Sequence, residues 1–174
     1  MLRRTDRRTF TVQVVAGLYM TVLVPFDGSP LSSAALEKAR SFASLTDAAL
    51  VAITVIPDDD EYARERGWIT RGEPFDTEAI DAGMRERVDA IAPEAEFYSQ
   101  VVDSDEPTAT ATTNVVRTIR QAASDVDASV IVVGTENAGS VTTPLSSVGG
   151  PLSSDQHYDV YLVRHAEGGG FETN

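Results

Sequence analysis

Apolar residues in this chain fall in short β-branched runs separated by segments of helical period. Thr21–Phe26, Ala49–Val55, Ala95–Val102, Ser129–Val133 and Val160–Val163 read as strands. The first and fourth runs are apolar nearly throughout, the pattern of strands buried on both faces. After the first run, Ser29-Pro30 reads as an N-cap followed by proline at the first helical position. Ala34, Ala35, Ala39, Phe42 and Ala43 then recur at helical spacing and predict a helix to about Ser44. Ile80, Met84, Val88 and Ile91 predict a helix over Thr77–Ile91, stopped by Pro93. Val115, Val116, Ile119 and Ala122 predict another over Asn114–Ala123. Residues 57–74 and 103–113 are polar and read as loops, the first with room for one helical turn. Leu145–Ser154 reads as a short helix. The order β-α-β-α-β-α-β-α-β predicts an α/β domain with an open, mostly parallel five-stranded sheet and helices on both faces. Ligands collect where parallel strands end. Two turns therefore matter most: Asp27-Gly28-Ser29-Pro30 after the first strand, and Gly134–Ser140 after the fourth.

Composition narrows the chemistry. The 174 residues contain no cysteine, which removes disulfides, thiolate metal sites and Cys nucleophiles. No apolar stretch reaches the roughly 20 residues of a membrane helix. The net charge is −13; residues 1–19, with four Arg and one Asp, contribute +3, leaving −16 on the body. Such a surface repels phosphate backbones and argues against nucleic-acid binding. Strong acidity with Lys38 as the only lysine predicts a cytoplasmic protein of a salt-rich, halophilic cell, where self-repulsion is screened.

Residues 1–19 differ in character from the body of the chain. They open with Arg3, Arg4, Arg7 and Arg8 and then turn apolar. Arg7-Arg8-Thr9-Phe10 loosely matches a twin-arginine signal, but the apolar stretch is short, holds Gln13 and lacks a small-residue cleavage site. Met20 directly precedes the first strand. The segment is expected to be an upstream extension or a mis-assigned start, with export and an ordered packing arm as the other readings. Residues 20–165 then form one domain and 166–174 a loose tail.

Thr21–Ala39 resembles the opening of universal stress protein domains: a strand, an Asp-Gly-Ser turn and an Ala/Leu-rich helix. Asp125–Arg164 resembles their closing half, through Ser129–Gly134, Ser146-Ser147-Val148 and Asp159–Arg164. The resemblance implies the five-stranded fold of that family, related to the adenine-nucleotide α-hydrolases, and a homodimer formed through the last strand, Val160–Val163. It also implies a non-catalytic stress-response module, some of whose members bind ATP. The cofactor-binding positions it implies are Pro25, Asp27 and Val55 together with Gly134, Asn137, Gly139, Ser146, Ser147 and Val148.

The chain departs from the family's phosphate loop. Asn137 stands where a second glycine belongs, Gly139 comes two residues late, and Ser146-Ser147 replaces Gly-Ser one residue early. Glu136 adds a carboxylate, and no Arg or Lys lies between Arg120 and Arg164. ATP binding is therefore expected to be weak or lost, and the alternative is a protein-interaction module without nucleotide, such as a soluble partner of a transporter. Each position also has a structural reading. Asp27 either accepts hydrogen bonds from adenosine or closes an Asx turn. Gly134 either admits a phosphate or ends its strand at positive φ, and Ser146 and Ser147 either donate to phosphate or cap a helix.

Other chemistry is poorly supported. Asp58-Asp59-Asp60-Glu61 lacks the spacing of a calcium loop and reads as a solvated acidic face. His157 and His165 stand apart from metal or acid–base partners. No nucleophile elbow or Gly-Lys-Ser/Thr phosphate loop occurs, so no catalytic residue is assigned. Tyr62 and Trp68 either cover the cleft or simply pack.

Overall fold

A computed structural model describes residues 20–103, 111–134 and 158–166. They form a five-stranded sheet in the order β3-β2-β1-β4-β5, with β1 Thr21–Pro25, β2 Ala49–Pro57, β3 Glu96–Val102, β4 Val130–Gly134 and β5 Asp159–Val163. All four neighbouring pairs are parallel. The helices are α1 Pro30–Thr46, α2 Asp60–Glu65, α3 Thr77–Ile91 and α4 Ala111–Asp125.

Alternation along each central strand divides the core into two layers. Val22, Val24, Ala52, Ile56 and Val132 face α1 and α3, where they meet Leu36, Ala39, Met84 and Val88. Leu23, Val51, Ile53, Ile131 and Val133 face α4, where they meet Val115, Val116, Ile119 and Ala123. The sheet thus carries helices on both faces, as the chain's alternation predicts.

Local signals explain the helix starts. Ser29 caps α1, its Oγ accepting the Ser32 N–H at 3.2 Å, and Pro30 occupies the first turn. Asp59 and Asp76 cap α2 and α3 in the same way. Among the boundaries that differ from expectation are three in the described residues. The polar stretch 57–74 holds a six-residue helix, because Asp59 starts it and Gly67 ends it. Next, α4 begins at Ala111, inside the stretch expected to be loop. Finally, β2 runs to Pro57 rather than Val55, because β3 pairs with it along that length. Among the described residues, no helix is long and apolar enough to cross a membrane.

The topology fixes where a ligand can sit. From β1 the chain steps outward to β2 and β3, then returns across the sheet to β4 beside β1. The strand order reverses between β1 and β4, and a crevice opens at such a switch point beyond the strand ends.

Candidate functional site: the crevice between the first and fourth strands

Pro25 stands where β1 and β4 separate. The β1–β2 ladder continues to Pro25 opposite Ile53, but the β1–β4 pairing covers Val22–Val130 and Leu23–Ile131. The Phe26 N–H points to β2, where Ile53 O accepts it at 2.8 Å. The preceding N–H would point to β4, and proline has none. Thr54, fully buried in β2, donates its hydroxyl to Phe26 O at 2.7 Å. The end of β1 is therefore held to β2, and the next residue, Asp27, projects at the mouth of the crevice.

Asp27 is engaged at both oxygens. Oδ1 accepts the Ser29 N–H at 2.9 Å, the Asx turn expected from the sequence. Oδ2 accepts from Arg66 Nη1 at 2.6 Å, an ion pair whose Arg and Asp side chains are 29% and 27% exposed. Burial pushes the Asp27 carboxyl up, but hydrogen bonds from Ser29 and Ser32 and the Arg66 charge outweigh it and hold the group below its ordinary value. Gly28, at φ +76°, turns the chain where a Cβ would lie 2.5 Å from Arg87 Nη1.

Arg66 arrives through the end of α2. The Trp68 N–H bonds Ala63 O at 2.9 Å and the Gly67 N–H bonds Arg64 O at 3.0 Å, a Schellman motif with Gly67 at φ +70°. That reversal carries Trp68 back to donate its indole N–H to Asp27 O at 2.7 Å. Tyr62 meets Trp68 edge to face at 5.6 Å, and the Arg66 guanidinium lies over the Tyr62 ring at 5.0 Å. Tyr62 and Trp68 thus pack together against the Asp27 turn.

Gly134, the last residue of β4, sits beside the first turn of α1. A Cβ there would lie 2.6 Å from the carbonyl carbon and oxygen of Leu31 and 2.9 Å from Ser32 N. It ends its strand as expected, but its φ is not positive: the close approach of α1 to β4 is what asks for glycine here. Val55 buries its side chain in the α4-side core and has only its backbone to offer the crevice. Asn137, Gly139, Ser146, Ser147, Val148 and His157 lie outside the described residues.

Of the implied positions, Pro25 and Asp27 at the end of β1 and Gly134 at the end of β4 flank the switch point. Arg66, the cation on Asp27, lies far from the Arg120–Arg164 segment in which the family's phosphate loop would place a base. The legible signal was Asp59 and Gly67 bracketing a short helix that ends in Arg and is followed by Trp. The acidic run 58–61 is partly absorbed locally: Asp59 caps α2, and Asp60 accepts from Arg64 at 2.6 Å.

An open parallel sheet in this order, with an Asp-Gly-Ser turn at its switch point, defines an α/β domain whose candidate site lies at that turn. The family model described as Universal stress protein family matches residues 18–164. The chain belongs to that family. A solved universal stress protein in complex with cAMP is 23% identical, at a TM-score of 0.56, with 85% of this chain and 99% of that one covered. A universal stress protein from Archaeoglobus fulgidus is 17% identical (TM-score 0.53, 84% and 100% covered). A family member from Burkholderia pseudomallei is 20% identical (TM-score 0.53, 84% and 97%). At these identities the matches speak for the fold. No curated protein matches the chain in sequence.

Proposed function

We propose that this chain is a non-catalytic, cytoplasmic binding module that takes an adenine nucleotide weakly in the crevice between β1 and β4. The observation that carries the reading is Asp27: an ionised carboxylate held at the topological switch point, able to accept hydrogen bonds from a sugar or base. The cAMP bound by a structural relative agrees with the ligand class. Weakness is expected from the loop after Gly134, where Glu136 repels phosphate and Asn137 and Ser146 restrict the backbone approach that glycine allows. Calorimetry with AMP and ATP tests this. Binding that Asp27→Ala reduces, and that Glu136→Arg, Asn137→Gly, Ser146→Gly together strengthen for ATP, supports it. Absence of binding by wild type and repaired chain alike would leave the protein-interaction reading in its place.

The module works as a homodimer paired through Val160–Val163. Among the described residues β5 is one of the two sheet edges, which a second copy would cover. Tyr161 on it is 56% exposed. Beside it, Phe42 and the 87% exposed Leu45 of α1 line an apolar groove with Val130 and Val132. Light scattering should give a dimer at micromolar protein, reduced to monomer by Leu162→Arg; a wild-type monomer would refute the pairing.

A further inference from the structure

The contacts made by α2 bear on how the Asp27 site is controlled. A helix of six residues has no stability of its own and stays where tertiary contacts hold it. Within α2 only Ala63 is buried. The polar ties that bring the end of α2 to the crevice both go to one residue: Arg66 Nη1 to the Asp27 carboxylate at 2.6 Å, and Trp68 Nε1 to the Asp27 carbonyl at 2.7 Å. Tyr62 and Trp68 are packed with Arg66 and, on their other sides, against the two core layers. With Ser29 on Oδ1 and Arg66 on Oδ2, each oxygen that would receive a ligand's donors already has a donor.

We propose that Arg66 is a latch: it holds α2 closed over the β1–α1 turn by pairing with the Asp27 carboxylate, and a ligand must compete with that ion pair for Oδ2. The nucleotide reading above supplies the ligand; the latch itself rests on the contacts of Arg66 and Trp68 with Asp27. Arg66 is then a positioning residue that lowers affinity in the resting state. The pair is partly exposed, so salt weakens it. Binding of an uncharged ligand with hydroxyl donors therefore tightens as ionic strength rises, the reverse of a site where the protein's cations attract phosphate. Occupancy also becomes coupled to the position of α2, giving a partner that recognises α2 a means of sensing the ligand.

The test uses wild type, Arg66→Gln, Asp27→Asn and the double variant, at low and high KCl, with adenosine as probe. Trp68 is the sole tryptophan, so its emission reports this cluster alone. In the absence of adenosine, each single variant should speed amide exchange over α2 by about three- to five-fold, the range of a partly exposed ion pair, and shift Trp68 emission to the red. The double variant should add little, since both changes break one contact. Adenosine should bind Arg66→Gln about three- to five-fold tighter than wild type, and wild type should approach the variant at high KCl. Unchanged α2 exchange and emission in both single variants would overturn the latch, whatever binds. Faster exchange with equal or weaker adenosine binding in Arg66→Gln would overturn it as well, and make Arg66 part of the binding site. Faster exchange with no adenosine or nucleotide binding to any of the proteins would overturn the nucleotide reading while supporting the α2 closure.

Discussion

Replacing Gly134 by alanine tests how closely the switch point is built. The added methyl would lie 2.6 Å from the Leu31 carbonyl and 2.9 Å from Ser32 N, where ordinary contact begins at 3.4 Å. The first turn of α1 would have to retreat by roughly 0.8 Å from β4, and main chain cannot yield by choosing another rotamer. Overpacking of this kind costs about 1–3 kcal/mol. The smaller unfolded-state entropy of alanine returns about 0.4–1 kcal/mol. A net loss of about 1–2 kcal/mol lowers the melting temperature by roughly 2–8 °C in a domain of this size. The same turn carries Ser29, whose N–H holds Asp27, so Trp68 emission should change along with stability. Gly83 in α3 is the control: nothing lies within 4 Å of its would-be Cβ, and its φ is not positive. Gly83→Ala should therefore stabilise by about 0.5–1 kcal/mol through helix propensity. Thermal unfolding followed by circular dichroism distinguishes the two. A Gly134→Ala protein that melts at or above wild type would refute the close approach of α1 to β4.

Three other outcomes rest on the same contacts and on the charge of the chain. Thr54→Val should cost about 1–2 kcal/mol in urea unfolding, because it removes the buried donor to Phe26 O without changing shape much; an unchanged midpoint would show that bond to be dispensable. The folded-state pKa of Asp27 is lowered from 3.8, so its contribution to stability is present above that value and is lost as pH falls through the folded pKa. Asp27→Asn should accordingly show a shallower acid limb of stability than wild type, and parallel limbs would refute the assignment. With −16 on residues 20–174, stability should rise as KCl screens the self-repulsion; indifference to salt would remove the argument for a halophilic setting.

Residue pattern alone determined the fold class. Short apolar β-branched runs can satisfy their backbone and bury both faces only inside a sheet, and the helical periods between them leave parallel crossovers as the connection. The Asp-Gly-Ser-Pro junction was equally legible, since an Asx turn, a left-handed glycine, an N-cap and a first-turn proline are each local preferences. The six-residue α2 was not legible, because so short a helix carries little periodic signal and exists through its caps and its tertiary contacts. Arg66 is 39 residues from Asp27 and reaches it only because β2 lies beside β1 and the Schellman turn reverses the chain. The reason for glycine at 134 was also invisible along the chain. A glycine at a strand end suits a left-handed turn or close packing equally well, and only the position of α1 against β4 shows the packing. Local preferences are written in neighbouring residues, whereas ion pairs and backbone approaches across the sheet depend on strand order and register, which pattern restricts but does not fix.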